Sequence, residues 1–225
     1  MKTVDYDRLS QEYAHHRQIH PEVLRSLLMN GRVEAVSRIL EVGCGTGNYI
    51  SALEESAGCS GWGVDPSEKM LTKARERSNR VNFQLGRGER LDFPQKFFDF
   101  VFSVDLAHHL KDTVSYFLEV HRVVKQDGRV CTATDSEWII RHRQPLSVYF
   151  PKTVDVDLER YPSIAKLREV MEQVGFDRID EETVEFSYRL KDSQAYRDKA
   201  FSCLHLIGEE DFQKLKYLLH GNTYT

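Results

Sequence analysis

Long apolar runs are missing from this 225-residue chain. No segment approaches the roughly 18 consecutive apolar residues of a membrane-spanning helix, so no membrane partner is expected. The opening residues Met1-Lys2-Thr3-Val4-Asp5-Tyr6-Asp7-Arg8 lack the apolar stretch of an export signal, and a soluble, cytoplasmic protein is expected. Cysteine is scarce: Cys44, Cys59, Cys131 and Cys203 lie far apart with no C-x-x-C pair. That spacing argues against a zinc knuckle and a disulfide framework, and no metal is expected. Neither sign of charge dominates, with 31 Lys and Arg against 35 Asp and Glu and a formal net charge of -4. The basic residues are scattered, so a nucleic-acid partner is not expected. Internal repeats and low-complexity linkers are absent as well. With 40% hydrophobic residues, the whole of 1–225 reads as one folded domain.

What the chain does have is a glycine-rich stretch, Arg38-Ile39-Leu40-Glu41-Val42-Gly43-Cys44-Gly45-Thr46-Gly47-Asn48. A short apolar run passes into three glycines spaced by two, the pattern of a buried strand breaking into a tight turn that opens a helix. Without Cβ atoms, the glycines permit positive φ and let a ligand lie against bare main chain. Cys44 reads as a small residue filling space in that turn, with a redox nucleophile as the alternative. About 20 residues after the first glycine, Trp62-Gly63-Val64-Asp65 forms a second strand ending in a carboxylate. From there an acidic side chain accepts hydrogen bonds from the ribose hydroxyls of a nucleotide on the turn; a plain turn residue ahead of Pro66 is the other reading. Ser67 is placed to cap the next helix.

The remainder alternates strand and helix. Residues 81–85 and 97–104 are expected strands, the second almost wholly apolar as in a central parallel strand. Helices are expected over 48–55 and 112–125, the latter stopped by Asp127-Gly128, and a fifth strand over 129–134. This alternation predicts an α/β, Rossmann-like, mostly parallel sheet with helices on both faces and ligands at the carboxyl ends of the strands. Gly43 to Gly47, Asp65, Gly88-Glu89 and Asp105 to His109 all fall at such ends. Two helices lead the chain, one within 5–20 and one over 21–29. Tyr13 and Arg17, four apart in the first, share a face that either covers the ligand or lies in solvent. Beyond Thr134 come an aromatic stretch (Trp138, Tyr149, Phe150), an amphipathic helix over 162–174, strand-like residues 183–188 and a helix-rich tail.

Several segments together resemble the class I S-adenosylmethionine-dependent methyltransferases. Glu41-x-Gly43-x-Gly45-x-Gly47 is similar to their first motif, and Gly63-Val64-Asp65-Pro66-Ser67-x-x-Met70-Leu71 to the second. Phe98-Asp99-x-Val101 with His108-His109-Leu110 resembles the region after the fourth strand. Arg122 to Arg129 and Met171 to Phe176 resemble the segments before strands five and six. The leading Tyr13-x-x-x-Arg17 and the double histidine bring the chain nearest the small-molecule branch that includes quinone-biosynthesis enzymes. The resemblance implies methyl transfer from S-adenosylmethionine to a small-molecule acceptor by in-line displacement. It places Glu41, Gly43, Cys44, Gly45 and Gly47 with the cofactor, joined by Asp65, Pro66 and Met70. Gly88, Glu89, Ser103, Tyr13 and Arg17 are counted with them. His108 and His109 are the candidates for a base or substrate contact. Residues 1–30 would form a helical cap, 31–134 the cofactor-binding core, and 135–225 an acceptor-side lid with strand six and the tail.

Two features depart from the family pattern. Relatives often carry Gly-Asp-Ala-Glu after strand three, where the aspartate accepts from the adenine amino group; here it is Gly86-Arg87-Gly88-Glu89. Arg87 has no acceptor lone pair, whereas Gly88 still offers a backbone N–H to the adenine ring. The chain also stops where a last strand would begin, so the C-terminal hairpin is short, missing or truncated. These features favour the alternatives of a non-catalytic S-adenosylmethionine sensor or a partner subunit. An NAD-dependent dehydrogenase would prefer Gly-x-Gly-x-x-Gly, but Asn48 occupies the third position, and Glu41, awkward beside a pyrophosphate, either faces the ammonium of an S-adenosylmethionine or structures the turn.

Overall fold

The computed structural model describes residues 18–185 and 193–216. The expected first leading helix with Tyr13 and Arg17, residues 186–188 of the expected sixth strand, and the end of the tail lie outside the described residues. The described residues form two compact units, one of 18–134 and 164–185, the other of 135–163 and 193–216.

The first unit carries the sheet. Helix α1 (Pro21–Gly31) begins with proline in its first turn and is capped by His20, whose side chain accepts from the Val23 N–H. Then follow β1 (Arg38–Val42), α2 (Asn48–Ala57), β2 (Ser60–Asp65), α3 (Glu68–Arg77), β3 (Asn82–Leu85), β4 (Phe98–Val104), α4 (Thr113–Val123) and β5 (Val124–Ala133). Helix α8 (Ile164–Gln173) packs on α4. All strand pairs are parallel, in the order β3-β2-β1-β4-β5. The chain runs outward from β1 through β2 and β3, then returns to β4 on the other side of β1. That reversal opens a crevice at the carboxyl ends of β1 and β4, where ligands bind in such sheets.

Both faces of the sheet are covered, which explains the near-continuous apolar strands. Leu40, Val42, Val64 and Val101 join Tyr116, Phe117, Val120 and Val123 of α4 in one core. Ile39, Phe100 and Phe102 join Leu27, Tyr49, Ile50 and Leu53 of α1 and α2 in the other. The strand interior alternates faces residue by residue, as the two-residue side-chain period of a strand requires.

One boundary differs from expectation. Helix α4 ends at Val123 instead of 125, and β5 starts at once because Val124 already pairs with Phe98. Between that pair and Phe100↔Arg129, β4 advances two residues and β5 five, so Lys125 to Gly128 bulge out. Lys125, expected in the last helical turn, instead pairs with Asp99 at 2.5 Å. Gly128 permits the bulge: a Cβ there would lie 2.7 Å from Val124 and 3.0 Å from the Asp99 carbonyl. No sixth strand forms over the described part of its expected range, 183–185.

The second unit contains α5 (Glu137–His142), α6 (Leu146–Tyr149), α7 (Lys152–Arg160), α9 (Gln194–Arg197) and α10 (Glu209–Lys216). Its core gathers Leu146, Phe150, Tyr196, Cys203, Leu204, Ile207 and Phe212. Beside it, Arg143 bridges Asp135 and Asp157, and Arg160 reaches the same Asp157 at 2.9 Å. The buried carboxylate of Asp157 is thereby neutralised by two guanidinium groups, the pairing that burial of a charge demands.

Candidate active site

The glycine turn has the expected backbone. Gly43, Gly45 and Gly47 have φ of 74°, 50° and 73°, left-handed values that other residues adopt only at a cost. Val64 at the end of β2 holds the turn through its carbonyl, which accepts from Gly43 N at 2.7 Å and Cys44 N at 3.0 Å. Leu106, just after β4, lies over Gly43 so closely that a Cβ there would meet its Cδ1 at 2.7 Å. The loop after β4 and the turn after β1 are therefore in direct contact.

Asp65 and Glu41 brace this turn from beneath. Asp65, only 8% exposed, accepts the Gly45 N–H through Oδ2 and the Ser67 N–H through Oδ1, both at 2.9 Å. An ionised carboxylate offers about four lone-pair sites, so these two bonds are compatible with further acceptance from hydroxyls. Glu41 is buried, and its Oε2 accepts the Ile50 N–H at 2.9 Å. Gly47, the N-cap of α2, has no side chain to cap with, and Glu41 supplies the acceptor from the preceding strand. This is the turn-structuring role open to Glu41 from the sequence.

The two carboxylates set a negative potential at the turn. The Cys44 thiol is held well above its ordinary value by burial first, then by Glu41 and Asp65. A thiol so suppressed fills space and is no nucleophile at neutral pH. Ser67 caps α3 as expected, its Oγ accepting the Met70 N–H at 3.2 Å, with the Met70 side chain buried and Pro66 exposed.

The loop after β3 is hydrogen-bonded to Asp65 through Gly86 N and the Asp65 carbonyl at 3.1 Å. Gly88 is buried against Tyr116 and Arg87 is exposed, while Glu89 accepts the Lys111 N–H at 3.3 Å. Leu85, the last residue of β3 and paired in register with Asp65, is 57% exposed. The sequence reading passed over Leu85. Its signal was an apolar residue at a strand end directly ahead of a glycine loop, beside the carboxylate. On the other side, Ser103 is fully buried and its Oγ donates to Thr132 at 3.4 Å. Asp105 adopts a left-handed φ of 54° where β4 gives way to the 3₁₀ turn Ala107–His109. The rings of His108 and His109 lie 3.9 Å apart, His108 half-buried and His109 exposed.

Taken by itself, the other unit uses its aromatics unevenly. Phe150 is buried and stacks on Phe212, filling the core. Trp138 is 57% exposed and stacks on His142 at 4.5 Å.

The turn and its carboxylates match the chemistry of S-adenosylmethionine. A left-handed glycine turn gives bare backbone, the Asp65 carboxylate suits ribose hydroxyls, and the negative potential at Cys44 suits a ligand bearing ammonium and sulfonium charges. A pyrophosphate would meet the buried Glu41 as a like charge. The residues fit the sulfonium cofactor.

Comparison with known proteins agrees. Residues 40–132 match the family model described as a methyltransferase domain. The demethylmenaquinone methyltransferase of Staphylococcus carnosus is 27% identical over 208 residues, covering 89% of this chain and 85% of that protein. That of Geobacillus kaustophilus is 32% identical over 156 residues, 64% of each chain. Among solved structures, a putative methyltransferase from an antibiotic biosynthesis pathway of Anabaena variabilis superposes with a TM-score of 0.77. It shares 23% identity and covers 90% of this chain and 85% of that one, a likeness of fold. These matches support neither the dehydrogenase nor the sensor reading. Over residues 40–132 the chain is similar to the methyltransferase domain family, and over most of its length to demethylmenaquinone methyltransferases.

Proposed function

We propose that Gly43 to Gly47, Asp65 and the loop 86–89 hold S-adenosylmethionine so that its methyl group reaches a small, partly apolar acceptor. The single observation carrying this assignment is the Asp65 carboxylate bonded to Gly45 N at 2.9 Å, which joins the ribose-type acceptor and the glycine turn in one unit. The cofactor supplies an already activated methyl group. The protein's task is alignment, and alignment of reacting groups can remove roughly 7–11 kcal/mol from a barrier. Bound there, the cofactor would supply its sulfonium methyl group for in-line displacement and leave as S-adenosylhomocysteine, with Gly43 to Gly47, Asp65 and the loop 86–89 holding it in place.

His108 and His109 are assigned to the acceptor side, as substrate contact or base. A histidine base is needed only where the acceptor must lose a proton, and then contributes on the order of 10²–10⁴-fold. Following the resemblance, residues 1–30 are proposed as a cap, 31–134 as the cofactor core and 135–225 as the acceptor-side segment, with Tyr13 and Arg17 counted among the cofactor residues. The relatives named for demethylmenaquinone support an apolar ring compound as acceptor. The even charge balance supports an acceptor other than nucleic acid. Four free cysteines support a reducing cytoplasmic setting.

Incubation with methyl-labelled S-adenosylmethionine and a panel of quinols, phenols and amines, followed by mass spectrometry, tests the reading. Label is expected in a ring-bearing small molecule with equimolar S-adenosylhomocysteine. Label confined to protein or nucleic acid would contradict it.

A further inference from the structure

Tyr116 is the residue on which the cofactor-side loops converge. It lies in α4, fully buried, and its ring packs edge-to-face on Phe117 at 4.9 Å. A Cβ built on Gly88 would stand 2.8 Å from Tyr116 Cδ2, 3.2 Å from its Cε2 and 3.1 Å from Val42 Cγ1. One ring thus supports Gly88 beside Val42, the strand residue directly before Gly43. The far end of the same ring lies beside the Ser103 and Thr132 hydroxyls of β4 and β5 without a well-aligned bond to either, and burial pushes its pKa to about 12. The tyrosine is therefore neutral and acts by its shape.

The loop it supports is short: Gly86 N ties its start to the Asp65 carbonyl at 3.1 Å, Arg90 N closes it on the Arg87 carbonyl at 3.1 Å, and Leu91 N anchors its end to Glu119 Oε2 of α4 at 2.7 Å. Between those ties, the height of the Gly88 backbone above the sheet is set by what lies beneath it. Close packing leaves no slack there, because even one added methyl must displace the ring or the loop. We infer that Tyr116 is a positioning residue: its contact with Gly88 fixes the loop 86–90 at the height from which the Gly88 backbone meets the adenine ring, and so sets cofactor affinity. This rests on the assignment of that loop to the cofactor in the proposed function.

The test is calorimetric titration of the full chain with S-adenosylhomocysteine, alongside thermal unfolding. Gly88→Ala is expected to weaken binding about tenfold by lifting the loop off the ring. Tyr116→Phe, which keeps the ring, is expected to retain wild-type affinity. Combining Gly88→Ala with Tyr116→Val, which removes Cδ2 and Cε2, is expected to regain affinity to within about threefold of wild type although the double variant is less stable than Gly88→Ala alone. A purely structural role would move affinity and stability together. Unchanged binding by Gly88→Ala, or a double variant that binds no better than Gly88→Ala, overturns the inference while leaving the cofactor assignment intact. Absence of binding by the wild-type chain would instead overturn the cofactor assignment, and the inference with it.

Discussion

Asp65 is bonded to Gly45: its Oδ2 accepts the glycine N–H at 2.9 Å while its Oδ1 accepts from Ser67. The carboxylate that terminates β2 therefore orders the turn after β1, the cap of α3 and the expected ribose contact at once. Loss of the charge should be felt in ligand affinity and in the local fold.

The glycines of the turn should be intolerant of side chains, to different degrees. Gly47 combines φ 73° with a built Cβ 2.8 Å from Phe83, whereas Gly58 has φ 67° with open space around it. Gly47→Ala is expected to destabilise by about 2–4 kcal/mol, adding overpacking to the left-handed penalty, and Gly58→Ala by about 1 kcal/mol. Urea unfolding of both variants measures the difference.

Acid should loosen the packing of α4 on the loop before β4. Arg122 donates to both Glu119 oxygens and to the carbonyls of Leu91 and Phe93. The Arg122 hydrogen bond, with the Leu91 N–H, holds the Glu119 carboxyl below its ordinary value against the opposing effect of burial. At Asp99 burial acts upward but is outweighed by the Arg38 N–H and Lys125, so its pKa is also lowered. A depressed carboxylate contributes stability that is complete above its unfolded pKa and is lost as pH falls through the folded one. Unfolding free energy is expected to be level near neutrality and to fall below about pH 5. Glu119→Gln should flatten that fall. Arg122→Lys, lacking the planar fork, should cost about 1–2 kcal/mol at pH 7.

The native thiols should be inert. Burial raises Cys44 strongly, Cys59 and Cys131 to about 11 and Cys203 to about 12. At pH 8 iodoacetamide is expected to label the folded protein far more slowly than the urea-unfolded chain. Rapid labelling of Cys44 in the folded state, located by peptide mass spectrometry, would revive it as a nucleophile.

Local signals announced much of this architecture. The glycine spacing, Asp65 at a strand end, Ser67 as cap and the apolar runs of β1 and β4 depend on neighbours in the chain, and each was read from them. The end of α4 was not, because Val124 leaves the helix to pair with Phe98, a tertiary demand that overrides the later Asp127-Gly128 signal. Tyr116 beneath Gly88 was equally hidden: Gly88 lies 28 residues and Val42 74 residues before it, and a lone tyrosine on an apolar helix face has no local mark. Glu41 had two readings in the sequence, and only its burial against Ile50 N shows it bracing the turn.

Calorimetric titration of S-adenosylhomocysteine into the wild-type chain and Asp65→Asn tests the central assignment most directly. Micromolar binding by the wild type is expected, with the dissociation constant raised at least about tenfold in Asp65→Asn as charge-assisted hydrogen bonds are lost. Equal affinity of the two proteins, or no binding by the wild type at high micromolar ligand, would contradict the placement of the cofactor on Asp65 and the glycine turn.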